Sequence, residues 1–124
     1  MIGKIYFSIT PFYDIAAGKQ KFKSRPVLII GGPRNNDYTV LPVSTITNKV
    51  NLDATYDYKI DPAQYPNSNL TKISYVRVHK QTTVHHAQII NCVCDLRKEY
   101  EDVYLDILTL LEQYNKELST NALV

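Results

Sequence analysis

The stretch Arg25-Pro26-Val27-Leu28-Ile29-Ile30-Gly31-Gly32-Pro33-Arg34-Asn35-Asn36-Asp37-Tyr38-Thr39-Val40-Leu41-Pro42-Val43-Ser44 decides how this chain folds. Val27-Leu28-Ile29-Ile30 is a short continuous apolar run between Pro26 and Gly31-Gly32-Pro33, the pattern of a buried strand bounded by breakers. Asn35-Asn36-Asp37 supplies turn chemistry, since Asn and Asp hydrogen-bond to nearby backbone and tolerate left-handed conformations. Val40, Leu41 and Val43 follow, so residues 27 to 44 read as an antiparallel hairpin. Pro42 has no N–H to give to a ladder and is expected at an edge or a bulge.

Working outward, Ile5, Phe7 and Ile9 alternate with Tyr6 and Ser8, giving a strand over residues 4 to 9 with one buried face. Residues 11 to 25 hold Gly18 and four basic residues with no clear period, and read as a long mobile connection. On the other side, Tyr56-Asp57-Tyr58-Lys59-Ile60 alternates and is closed by Asp61-Pro62, and Pro66-Asn67-Ser68-Asn69 is a turn. Ile73 to His79 alternates again, with Ser74, Val76 and Val78 on a core face and Ile73, Tyr75, Arg77 and His79 on the exposed one. Gln88 to Cys94 is a last strand.

Asp95 then suits the N-cap of a helix, because Leu96, Tyr100, Val103, Tyr104, Ile107, Leu111, Tyr114 and Leu118 recur at spacings of three and four. Ser119 to Val124 reads as a frayed tail. The expected fold is mainly β, a small SH3-like antiparallel barrel of five or six strands reaching about residue 95. A C-terminal helix over about 96–118 closes one opening, all within a single domain of residues 1–124.

Composition agrees with a globular domain: 124 residues, 44% hydrophobic and 21% charged. At this length roughly two-thirds of the chain's surface can be buried, enough for a core without a staple. No run approaches the ~20 apolar residues of a membrane span, and the amino-terminal residues lack a charged segment followed by an apolar one, so a cytoplasmic protein with no membrane partner is expected. Cys92 and Cys94, two apart in one strand, would share a face without disulfide geometry and read as reduced, half-buried residues. With His79, His85 and His86 at no ligand spacing they make a poor zinc site, so no metal and no cofactor are expected.

The formal charge of +2 is too small to identify a polyanion as partner, but its distribution is uneven. Lys19, Lys21, Lys23, Arg25 and Arg34 lie in the first third, with Asp14 the only acid before Asp37, whereas acids crowd the C-terminal third. A basic N-terminal face suits a nucleic acid and an acidic helix stays solvated. No Gly-rich phosphate loop, His-x-x-x-His, Cys-x-x-Cys or Gly-x-Ser-x-Gly is present, and nucleotide-dependent and zinc-dependent classes are disfavoured. What remains is a constellation: Arg25 before a buried strand, Ser44-Thr45 at the end of the next, and Arg77 with His79 on a third. Each is ordinary alone.

Together, Arg25-Pro26-Val27-Leu28-Ile29-Ile30, Val40-Leu41-Pro42-Val43-Ser44-Thr45 and Tyr75-Val76-Arg77-Val78-His79 resemble the MazF/PemK/Kid family of toxin endoribonucleases of type II toxin-antitoxin modules, over nearly the whole chain. Arg25-Pro26-Val27 matches the family's most specific tripeptide, which implies that Arg25 is its catalytic arginine. Pro42-Val43-Ser44 resembles the family's Pro-x-Thr, so Ser44 stands for the catalytic threonine, and Thr45 matches the hydroxyl residue that follows it. Arg77-Val78-His79 is similar to an Arg-x-Asp pair of Kid-like members with the aspartate replaced. The resemblance implies cleavage of single-stranded RNA without a metal, by attack of the ribose 2′-OH on the adjacent phosphate to leave a 2′,3′-cyclic phosphate and a 5′-hydroxyl. It also implies a homodimer and a cognate antitoxin protein.

That chemistry needs a base, a donor to the leaving oxygen and cations facing the phosphorane. Arg25 is expected to stabilise the transition state, Arg77 and Ser44 to anchor phosphate, and His79, an imidazole of unperturbed pKa ~6.5, to act as base. Lys19, Lys21, Phe22, Lys23, Thr45 and Tyr75 are expected to contact RNA, with Phe22 stacking on an unpaired base. The competing expectation is a toxin or binding module on the same barrel that cuts nothing, either like the CcdB gyrase binders or an RNA-binding barrel.

Overall fold

The two halves of the Arg25–Ser44 stretch pair as expected in a computed structural model that describes residues 1–124. Strand β1 (Lys4–Asp14) precedes β2 (Lys19–Arg34) and β3 (Asp37–Ser44). Leu28 lies opposite Leu41 and Ile29 opposite Val40. Asn35 and Asn36 turn the chain at φ of 53° and 65°, both positive, which is what a tight two-residue loop needs to match the twist of its strands. Just before it, Gly32 has φ of +101°, and a Cβ there would stand 2.7 Å from the Asp37 carbonyl oxygen. Only glycine lets the strand pass so close.

Residues 11 to 25 are not a mobile connection. β1 pairs with β2 from Ile5 opposite Leu28 all the way to Asp14 opposite Lys19, so the two form a long ribbon whose turn is only residues 15–18. The far part of this ribbon is solvated on both faces, and without a buried face its sequence needs no alternation of apolar and polar residues. Its turn is held by Asp14, whose carboxylate accepts from the Ala17 N–H at 3.1 Å and meets Lys21 Nζ at 2.9 Å. The Lys21 ammonium, with that N–H, holds the Asp14 carboxyl below the usual carboxylate range.

Pro42 also departs from expectation, because β3 is a central strand. On its far side β6 (Thr82–His85) pairs with residues 37–40, and β5 (Ser74–Arg77) pairs through Val43 opposite Val76 and Ser44 opposite Tyr75. Pro42 falls between the two, where β3 changes partner and a missing ladder donor costs least. With β4 (Asp57–Ile60) beside β5 and β7 (Ile89–Asp95) beside β1, the strand order is β4-β5-β3-β2-β1-β7. Val76 and Val78 are buried, as their alternation requires, but regular pairing ends at Arg77, and Val78–Lys80 is a 3-10 turn. Register shifts where β7 meets β1 put Cys92 and Cys94 out of phase. Cys92 is exposed and Cys94 buried rather than both half-buried on one face, and burial pushes the Cys94 thiol up to about 12.

The sheet curls around Ile5, Leu28, Leu41, Val43, Ile60 and Val76, and the helical segment covers them with Leu96, Val103, Tyr104 and Ile107. The Asp95 side chain accepts from the Lys98 N–H at 3.1 Å, the expected N-cap. The single helix expected over 96–118 is instead two, α1 (Leu96–Glu99) and α2 (Glu101–Leu123), broken at Tyr100. Tyr100 has φ −139°, and its hydroxyl accepts from the Asn67 N–H while its ring packs edge-on against Tyr65. Nor do residues 119–123 fray. Extending a formed helix costs far less than starting one, so α2 continues past its last packed turn without an apolar stripe to mark it.

Candidate active site

Continuing the register that sets Val27 opposite Pro42 brings Arg25 on β2 across from Ser44 on β3. Both line a cleft of about 530 Å³ at this end of the curled sheet. Pro26, locked in extended backbone and opposite Phe7 on β1, keeps Arg25 on the strand as it approaches the rim. Val43 turns inward against Val76, so its neighbour Ser44 points away from that core contact. The fourth wall is residues 69–74. Asn69 adopts φ 58°, its Nδ2 donates to the Val93 carbonyl at 2.8 Å, and Ser74 Oγ donates to the Lys72 carbonyl at 2.9 Å.

The lining is cationic and rich in hydroxyls. Lys23, Arg25 and Lys72 supply positive charge, Ser24, Ser44, Thr45, Thr71 and Ser74 supply hydroxyls, and no carboxylate or imidazole lines the cleft. None of the three cations is in an ion pair. Lys23 Nζ lies 5.2 Å from the centre of the Phe12 ring, a contact that leaves its charge uncompensated. Unpaired cations around a concave surface favour a dianionic or polyanionic occupant, and Phe7, Pro26, Val43, Leu70 and Val93 add apolar surface to the same lining.

The expected site residues are thus divided. Arg25, Ser44, Thr45 and Lys23 come together in the cleft. Lys19, Lys21 and Phe22 lie farther out on the β1–β2 ribbon, Lys21 committed to Asp14 and Phe22 68% exposed. Tyr75 pairs with Ser44 across the strands but does not line the cleft.

Arg77 and His79 are not on an open strand face. The Arg77 side chain is only 13% exposed, and its Nε donates to Asp57 Oδ1 at 3.0 Å and its Nη2 to Asp57 Oδ2 at 3.3 Å and the Asn51 carbonyl at 2.8 Å. The Asp57 side chain is wholly buried there and also accepts from the Asp53 N–H at 2.8 Å. His79 sits on the 3-10 turn, its ring edge-on to Tyr114 of α2, with Nδ1 buried, unbonded and 3.7 Å from Asp57 Oδ1. The sequence pattern could not reveal this, because it shows the alternation of β4 and β5 but not that Asp57 pairs opposite Arg77. It likewise missed Lys72 and Thr71, which carry no motif and enter the cleft only because the turn at Asn69 is tied to β7.

The family model of the PemK-like, MazF-like toxins of type II toxin-antitoxin systems matches residues 3–111. The chain belongs to this family. No curated protein matches it. As a PemK-like toxin it has the fold the resemblance implied, mostly β with a curled antiparallel sheet and a C-terminal helix. Family membership implies an antitoxin partner. The match takes in every residue of the cleft from Phe7 to Val93 and ends inside α2. No helix of this toxin is long and apolar enough to cross a membrane.

Proposed function

We propose that this toxin is a metal-independent endoribonuclease that cuts single-stranded RNA in the Arg25–Ser44 cleft. The observation that supports it is the set of unpaired cations and hydroxyls around a cleft free of carboxylates. Attack of a ribose 2′-OH on the adjacent phosphorus forms an O2′–P bond and breaks the P–O5′ bond; the 2′-OH proton passes to water in the open cleft, water returns a proton to the departing 5′-oxygen, and negative charge builds on the equatorial oxygens between. Arg25 can hold two of those oxygens at once, the Ser44 and Thr45 hydroxyls donate further hydrogen bonds, and Lys23 adds a point charge. The products are a 2′,3′-cyclic phosphate and a 5′-hydroxyl. RNA as substrate implies action in the cytoplasm, and a homodimer follows from the family resemblance.

Arg77 serves in this scheme as a positioning residue. Through Asp57 and Asn51 it fastens the β3–β4 loop that begins at Thr45. His79, turned onto Tyr114 and outside the lining, belongs to the same support. We therefore expect His79→Ala to keep cleavage within about tenfold of the parent, whereas loss of a true general base costs ~10²–10⁴-fold. A fall in that larger range, with the fold intact by circular dichroism, would return the base role to His79.

The function itself is tested by incubating purified toxin, free of antitoxin, with a long single-stranded RNA in EDTA and mapping the new ends. Cleavage leaving 5′-hydroxyl ends is the expected result. RNA that is bound but left intact would identify a binding module, and RNA that is neither bound nor cut would leave a protein-binding toxin such as the gyrase binders.

A further inference from the structure

We infer that the mouth of the curled sheet is a nucleotide subsite, in which an unpaired base rests on the apolar lining around Phe7 and Lys72 grips the phosphate next to the one that is cut. The inference rests on the RNA-cleavage reading of this cleft and names what else the cleft holds. Arg25, Ser44 and Thr45 already provide for one phosphate, and about 530 Å³ is far more room than one phosphate fills. The remaining volume has a different chemistry. Phe7, 37% exposed, lines the cleft with Pro26, Leu70 and Val93, and these give an otherwise polar lining the kind of apolar surface on which a base buries its face.

Lys72 supplies the second half of the argument. It is the one cation of the cleft that does not come from β2, so it meets the RNA from a different wall than Lys23 and Arg25. Its wall is braced. The Ser74 hydroxyl donates to the Lys72 carbonyl, Leu70 N–H donates to Ser68 Oγ at 3.4 Å, and Asn69 Nδ2 donates to the Val93 carbonyl of β7. A braced backbone keeps the ammonium near one position at reduced entropic cost, and no acid competes for it. Because Asn69 spends its Nδ2 on Val93, its Oδ1 is left as an acceptor for an N–H on the edge of the seated base.

The test is binding, so that it does not depend on cleavage. A nine-nucleotide RNA, uncleavable by a 2′-deoxy substitution at the cut, is centred on the site mapped for the toxin, or is a random pool if none is cut. Its affinity for toxin and for Lys72→Gln is measured across salt concentrations. Loss of one phosphate contact to single-stranded RNA is expected to reduce the slope of log K against log salt by about 0.7 and to weaken binding about fivefold at 0.1 M salt. Removing bases one at a time from the RNA should pick out one nucleotide, beside the cut, whose abasic form binds the toxin at least about fivefold less tightly. Equal affinities and slopes for the two proteins, or abasic effects spread evenly along the strand, would overturn the subsite even if the RNA is cut. Lys72-dependent binding of an RNA that is never cut would uphold the subsite and overturn the nuclease reading instead.

Discussion

Arg25→Ala is expected to lower the rate of RNA cleavage by about a hundredfold or more while leaving the thermal midpoint within a few degrees of the parent. The two halves of this expectation have one cause. Arg25 is exposed at the rim of the cleft and in no ion pair, so its removal leaves no buried partner uncompensated. Its guanidinium is therefore free for the phosphorane, where charge is greater than on the phosphodiester of the ground state, and the loss should fall mainly on kcat rather than KM. Arg25→Lys keeps the charge but not the paired N–H donors and should recover only part of the rate. Single-turnover cleavage of a mapped RNA with each variant, beside a thermal melt, measures both halves. An Arg25→Ala protein that melts normally and cuts at the parental rate would remove this residue, and the cleft with it, from the chemistry.

What the sequence revealed and what it hid divide along a physical line. The 27–44 hairpin was legible because its apolar run, its Gly and Pro breakers and its Asn-Asn turn all act locally. The Asp95 cap and the apolar stripe of α2 were legible for the same reason. Arg25 and Ser44 were found through resemblance, and the pairing of β2 with β3 then accounts for their meeting in space. The ribbon beyond Pro11 was not legible, because a solvated two-stranded arm leaves no period to read. The partners of Arg77 and the presence of Lys72 in the cleft were hidden too, since each depends on a contact between segments distant along the chain. A charged residue at an alternating position looks the same in sequence whether its strand face opens to RNA or is roofed by a loop.

That roofing gives the second large effect, on stability rather than on rate. Arg77→Ala is expected to destabilise the toxin by about 3–5 kcal/mol, because it leaves the wholly buried Asp57 carboxylate without its cation. For a chain of this size that lowers the thermal midpoint by about 10 °C or more. Asp57 cannot relax toward water cheaply, since Oδ2 also holds the Asp53 N–H and Oδ1 faces His79. Replacing both partners, Asp57→Leu with Arg77→Met, removes the pair without orphaning a charge and should regain most of the loss. Cleavage separates this role from that of Arg25. In the double variant the Arg77 hydrogen bond to Asn51 and the Asp57 hydrogen bond to Asp53 are gone, so the loop running from Thr45 is less firmly held. Arg25 and Ser44 keep their strands, however, and the rate should fall by no more than about tenfold. A double variant as stable as the parent but inactive would show that Arg77 acts on the RNA directly, and a single Arg77→Ala that melts with the parent would show that Asp57 is not buried against it.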